Sequence, residues 1–428
     1  MLRALAITMG ALVILALAVV AIGVGVRSLM TPVVDGIHHR KGQDFALIER
    51  GRYLTAVADC ASCHTIPGEG RPFAGGRRIE TPFGFVAAAN ITPDAETGIG
   101  TWTDGQFDAA VRQGERRDGK PLYPAMPFPY YSRMSREDVL AIRAYLDTVA
   151  PVRNPVTSDL LPFPLSIRAG MLAWDALYFR PGEFRPEDTK SPEWNRGAYL
   201  VEGPGHCGAC HTPKTWLGGD ENAQKLRGSV IQGWFAPNIT NDSTRGLGRW
   251  SPDDIVEYLR DGHNRLSAAT GPMAEEIALS SSHMTDADLY AIAAYLKDQR
   301  GGSEATPPAR SDESAMAAGG AIYRDVCSAC HTPDGRGVPY LFPALAASPS
   351  VRSSDPTTLI RIVLRGARSI ATAREPTGPG MPAFGWQLDD SEVAAVLTYI
   401  RNSWGAAAAP VTADEVHKAR TTLAARSE

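Results

Sequence analysis

The sequence predicts a mainly α-helical chain of three tandem repeats behind an apolar N-terminal segment. Three observations carry this. Cys-x-x-Cys-His occurs three times and uses all six cysteines. A similar helix-start pattern follows each copy. The 428 residues include 41 Gly and 32 Pro, which favours short helices joined by long loops over a large sheet. At about 150 residues per domain, the length suggests roughly three domains. The 44% hydrophobic and 21% charged content is that of a globular chain. Net charge is −4 with no Lys/Arg-rich block, which argues against a nucleic-acid binder.

The first element is apolar. Ala4 to Val26 is 23 residues without a charge, between Arg3 and Arg27. At about 1.5 Å per residue it spans a hydrocarbon core of roughly 30 Å. A cleavable signal peptide would have a shorter apolar region, about 7–15 residues, and a small-x-small site. Arg27-Ser28-Leu29-Met30-Thr31-Pro32 offers no such site. Residues 1–30 therefore read as a retained membrane anchor, a single N-terminal transmembrane helix.

Three repeats follow, at 42–150, 189–300 and 315–405. Each opens with a Gly-containing helical stretch: Gly51-Arg-Tyr53, Gly197-Ala-Tyr199 and Gly320-Ala-Ile-Tyr323. Each closes on a helix announced by an N-cap with an acid three residues on: Ser135/Asp138, Thr285/Asp288 and Asp389/Glu392. Apolar residues then follow helical spacing, as in Val139, Ile142 and Leu146. Tyr145, Tyr295 and Tyr399 sit near the ends of these helices. Repeats one and two share Asn90-Ile-Thr92 with Asn238-Ile-Thr240, and Gly98-Ile-Gly100-Thr-Trp102 with Gly246-Leu-Gly248-Arg-Trp250. Residues 151–188 read as a linker, semi-stiff and Pro-rich from Pro151 to Pro164, and 301–314 as a flexible one. Residues 406–428 read as a surface tail with a helix from about Asp414 to Arg426.

Cys60-Ala-Ser-Cys63-His64, Cys207-Gly-Ala-Cys210-His211 and Cys327-Ser-Ala-Cys330-His331 have the c-type haem attachment spacing. Two thiols add across the haem vinyl groups and the adjacent His becomes an iron ligand. Three matches that leave no cysteine over predict three covalently bound haem c groups. A disulfide framework gives no reason for His after every second Cys. A redox pair would need a βαβ context. A zinc site lacks a regular fourth ligand.

The sixth ligand decides whether each iron is closed for electron transfer or open for chemistry. Met126 lies 66 residues after Cys60, Met273 lies 66 after Cys207, and Met381 lies 54 after Cys327. All three stand in Pro-rich segments before the closing helix, read as extended loops. Met126, Met273 and Met381 are the expected ligands opposite His64, His211 and His331. Met134 and Met284 are rivals, but Leu388 fills the same column and cannot ligate iron, so that column reads as a hydrophobic staple. His263 and His283 are the rivals to Met273. His206 is too close to Cys207 to swing across a haem. His38, His39 and His417 lie outside the haem units.

The Gly of each opening helix facing an aromatic of the closing helix resembles the type I cytochrome c plan. Asn90-Ile-Thr-Pro-Asp94, Tyr123-Pro-Ala-Met-Pro127 and Gly203-Pro-Gly-His-Cys-Gly-Ala-Cys-His-Thr-Pro213 resemble the triheme cytochrome c subunits of bacterial membrane-bound dehydrogenases, over about Phe45 to Trp404. The resemblance implies an electron-transfer subunit on the periplasmic side of the inner membrane, with no catalytic residues of its own. It implies a separate catalytic partner carrying molybdopterin with an iron-sulfur subunit, pyrroloquinoline quinone, or flavin, and delivery of electrons to membrane ubiquinone. The anchor-like start and short end favour the subunit serving a molybdenum aldehyde dehydrogenase. The alternatives are a quinoprotein alcohol dehydrogenase and a flavin gluconate, sorbitol or fructose dehydrogenase. A stand-alone haem peroxidase is the remote alternative; a Met in each repeat disfavours its open iron.

Overall fold

The computed structural model describes residues 44–157, 159–301, 312–346 and 348–425. The anchor segment Ala4–Val26, His38, His39 and most of the 301–314 linker lie outside these residues. Among the described residues no helix is long and apolar enough to cross a membrane. The fold is mainly helical, with no strand longer than four residues among those described.

The described chain gathers into two compact units. One holds the residues up to Glu187 with Tyr199–Ala209 and Lys214–Asp220; the other holds Asp188–Ala198, Cys210–Pro213 and Glu221 onward.

In the first unit, helix Phe45–Val57 crosses helix Arg136–Leu146. Asp44 caps the first and Ser135 the second, each side chain accepting a backbone N–H one turn on. The crossing is close because Gly51 has no side chain: a Cβ there would lie 1.8 Å from the Ala141 carbonyl oxygen. Leu54, Val139, Ile142 and Leu146 are buried in the adjoining core. Strands Arg78–Thr81 and Gly84–Ala87 pair antiparallel, and Asp159–Leu160 extends them, with Phe85 opposite Leu160. The segment 151–188, expected to be a linker, is thus tied to the first unit at several points, although Phe163, Leu165, Ile167 and Leu177 stay exposed. The Asn90 amide donates to the Val152 carbonyl at 2.7 Å. Arg168 is buried, donates to the Pro121 carbonyl at 3.0 Å and stacks over Tyr123. Helix Met171–Tyr178 is followed by buried Phe179, edge-on to Phe128. The contacts are polar as well as apolar, through Asn90, Arg168 and Phe179, which a turn-based reading of the Pro-rich stretch does not announce.

In the second unit the same crossing occurs twice. A Cβ on Gly197 would lie 1.8 Å from the Ala291 oxygen, and one on Gly319 would lie 2.1 Å from the Ala395 oxygen. The third repeat therefore crosses at Gly319, one residue before the Gly320 expected from sequence. The cause is local: Tyr323–Cys327 winds as a π-helix, which takes an extra residue per turn before the attachment motif. Helices Thr357–Arg365 and Asp390–Arg401 enclose the third core. The tail forms the expected helix, Ala413–Ala425, but it is docked and not a surface appendage. Val411, Val416 and Leu423 are buried in the third core, and Arg420 holds Asp390 at 2.7 Å.

Candidate haem sites

Each attachment motif sits on a single helical turn, Cys60–His64, Gly208–His211 and Ser328–His331. Cys207 directly precedes the second. None of the six cysteines is in a disulfide. Burial pushes the Cys60 thiol up to about 12 and the Cys327 thiol up to about 11. Burial therefore favours the neutral form of these two thiols. Among the described residues no cluster of three or more His, Cys, Asp or Glu side chains could hold a metal ion.

The three histidines share one arrangement. His64 Nδ1 donates to the Ala89 carbonyl at 2.6 Å, His211 Nδ1 to the Pro237 carbonyl at 2.6 Å, and His331 Nδ1 to the Pro343 carbonyl at 3.0 Å. A carbonyl can only accept, so Nδ1 carries the proton and Nε2 keeps its lone pair for a metal. Burial also holds His64 and His331 below the usual histidine range, favouring the neutral ligand form. A glycine N–H then ties down each histidine's own carbonyl: Gly75 at 2.8 Å, Gly228 at 2.7 Å and Gly337 at 3.0 Å. All three glycines have positive φ, and a Cβ on each would strike the opposing strand of chain within 2.9 Å. Each histidine is thus held at both its ring and its backbone.

In the first two repeats the Asn-Ile-Thr motif builds this clamp. Asn90 directly follows Ala89; its Oδ1 accepts from the Thr92 N–H at 2.9 Å and from the Thr92 hydroxyl at 2.7 Å. Asn238 directly follows Pro237 and does the same for Thr240, at 2.8 and 2.7 Å. The turn fixes the carbonyl that receives the imidazole. Sequence comparison of the repeats flags the motif but not this role. The glycines of the clamp carry no usable sequence signal, because they stand 11, 17 and 6 residues after their histidines.

The three methionines occupy less uniform settings than the sequence suggests. Met126 lies in a tight turn, its N–H donating to Tyr123 and its carbonyl accepting from Phe128. Met273 is not in a loop: it is the second residue of helix Pro272–Leu279. Met381 lies in a two-residue strand paired with Ala367. Each is partly buried. Met126 packs on the same core as Cys60, and Met381 on the same core as Cys327. Met273 packs beside Tyr258 and Ile370. Met134, Met284 and Leu388 are buried one residue before their N-caps, each with a buried partner at the staple position, Val139, Leu289 and Val393. His283 is exposed against the Ala278 carbonyl, whereas His263 is buried with Nδ1 lacking a hydrogen-bond partner. His206 is half-buried against Tyr131, and His417 pairs with Asp390 at the surface.

Paired thiols outside disulfides, a histidine with Nε2 presented and a partly buried methionine in each repeat fit a covalently held haem. Fold and donor set together define a protein that carries covalent haem c on repeated attachment turns. The chain belongs to the cytochrome c family, whose model matches residues 48–150, 195–300 and 316–404. It is 42% identical to the gluconate 2-dehydrogenase cytochrome c subunit of Pantoea cypripedii, covering 88% of this chain and 90% of that one. It is 39% identical to the cytochrome c subunit of the quinone alcohol dehydrogenase of Gluconobacter oxydans, covering 90% and 85%. The fructose dehydrogenase cytochrome subunit of Gluconobacter japonicus is 37% identical, covering 93% and 86%.

Proposed function

We propose that the chain is a three-haem electron-transfer subunit of a membrane-bound dehydrogenase complex. It takes electrons from a separate catalytic subunit and delivers them to ubiquinone at the outer face of the inner membrane, where Ala4–Val26 anchors it. The observation that supports this best is the histidine clamp, built three times with the same atoms. A bound haem supplies a one-electron Fe(III)/Fe(II) couple. The chain's residues orient His64, His211 and His331 through their ring hydrogen bonds, hold His64 and His331 in the neutral form by burial, and offer Met126, Met273 and Met381 as second ligands. A Met/His pair closes the iron and raises its potential, which suits a carrier and not a peroxidase.

The catalytic partner we favour is a dehydrogenase of the gluconate, alcohol or fructose class, because relatives aligned over nearly the whole chain serve such enzymes. A molybdenum aldehyde dehydrogenase is the second reading, supported by the uncharged Ala4–Val26 stretch. Purification of the complex from detergent, with identification of the partner and its cofactor, separates the two. Substrate should then reduce the haems, and added ubiquinone should reoxidise them. A chain that purifies alone and breaks down peroxide would overturn the proposal.

A further inference from the structure

The first unit exposes an apolar face, built by the segment that follows its short sheet. From Leu160 to Phe179 the only charged residues are Arg168 and Asp175, and both are buried, so this stretch presents no charge to solvent. Phe163 is 81% exposed, and Leu165, Ile167 and Leu177 are exposed with it. Phe85 and Leu160 stand directly opposite each other in the sheet, both exposed, and so share one face. Trp216, 85% exposed, adjoins through its neighbours. The Leu217 carbonyl accepts from Trp174 Nε1 at 3.0 Å, and the Thr215 hydroxyl donates to the Tyr178 hydroxyl at 3.1 Å. The hairpin turn lies between the two parts. A Cβ on Gly84 would meet Leu161 and Pro162 at 3.2 and 3.3 Å, and one on Gly218 would meet Phe83 at 3.1 Å. None of these exposed side chains belongs to the core that holds Cys60 and Met126. The face is nonetheless tied to the segment that carries Met126. The Tyr123 hydroxyl donates to the Leu165 carbonyl at 2.9 Å, and Arg168 donates to the Pro121 carbonyl at 3.0 Å.

We propose that this face docks onto the lipid surface, with Phe163, Leu165 and Ile167 inserted at headgroup depth. The proposal rests on the reading that Ala4–Val26 anchors the chain. A contiguous exposed apolar face marks an interaction site. Three observations favour lipid over a protein partner. Phe, Leu and Ile with a Trp at the margin is the make-up of an interfacial face, whereas the centre of a protein interface is enriched in Tyr and Arg. The margin is basic, which fits anionic headgroups: Arg78 lies 4.4 Å over the Phe85 ring, and Arg180 is exposed just past the helix that carries Leu177. Residues 27–43 tie this same unit to the anchor, and these 17 residues reach at most about 60 Å, so the face is held close to the bilayer. Docking sets the Met126 segment beside the membrane, where an acceptor dissolved in lipid is met.

The test uses the full-length holoprotein in phosphatidylcholine–phosphatidylglycerol vesicles, with p-benzoylphenylalanine in place of Phe163. Illumination should attach lipid at this position, read as a lipid mass on the peptide that contains it. Leu165→Asp combined with Ile167→Asp should lower the adduct several-fold, with haem masses and haem bands unchanged. Leu177→Asp, on the adjoining helix, repeats the measurement should that pair disturb the haems. An adduct of equal yield in these variants would show labelling by tethering alone and overturn the docking. A chain that floats with the vesicles but gains no lipid mass would overturn it too, and leave the anchor standing. In the purified complex, an adduct to the catalytic subunit in place of lipid would assign the face to a protein partner and overturn the lipid assignment. A chain that does not float with the vesicles would overturn the anchor reading, and the docking with it.

Discussion

The clamp on each histidine is a set of single-residue contacts, so single substitutions address it. Asn90→Ala removes the acceptor of two hydrogen bonds and leaves the buried Thr92 N–H and hydroxyl without it. An unsatisfied buried donor costs about 1–3 kcal/mol, so the first repeat should melt earlier. The Ala89 carbonyl should loosen with it. A weaker hydrogen bond to Nδ1 makes His64 less basic and stabilises ferric iron less, so that haem's potential should rise in a spectroelectrochemical titration. Asn90→Asp keeps the acceptor but replaces the amide that donates to the Val152 carbonyl with a buried carboxylate, so it should restore little of the stability. Met273→Leu tests the least uniform site. If Met273 ligates, the methionine–iron charge-transfer band of the second haem disappears and its potential changes. An unchanged spectrum turns attention to His263, whose buried Nδ1 lacks a hydrogen-bond partner.

Among the elements, the helix crossings are the most demanding. Gly197→Ala drives a methyl group onto the Ala291 carbonyl and should destabilise the second repeat by about 3 kcal/mol, read by calorimetry of the holoprotein. Gly320→Ala is the milder change in the third repeat, because its Cβ meets only the edge of the Tyr399 ring at 3.1 Å. That contrast also shows where the sequence stops being informative. The pairing of a glycine with a closing-helix tyrosine was legible from the repeats. The choice between adjacent Gly319 and Gly320 depends on a π-turn that no periodicity announces. N-caps and the staple column were legible because they are local and repeat at fixed spacing. The clamp glycines were not, because the loop between each histidine and its glycine differs in length. Met126, Met273 and Met381 were singled out by position in the repeat, yet the helix under Met273 escaped a reading that took its flanking Gly271-Pro272 as loop. Pro at the first helical position starts helices as readily as it breaks them.

At the scale of the chain, the third repeat is packed beyond the 315–405 span expected from sequence. Truncation after Gly405 would remove Val411, Val416 and Leu423 from the third core, together with the Ala409 carbonyl that accepts from buried Arg401. At about 1.5–3 kcal/mol for each buried aliphatic side chain, the loss should exceed roughly 4 kcal/mol. Limited proteolysis should then find the third repeat cleaved while the first repeat resists. Equal resistance of both repeats in the truncated chain would show that the last helix is dispensable.

Each histidine-to-carbonyl bond also closes a loop, and the loops differ: 25 residues in the first repeat, 26 in the second and 12 in the third. Halving a loop lowers its closure cost by about 0.6 kcal/mol. The third repeat should therefore knit together ahead of the other two, although the ribosome makes it last. Maturation would then run against the direction of synthesis, and pulse-labelled chains sampled during biogenesis should show protease resistance first around His331.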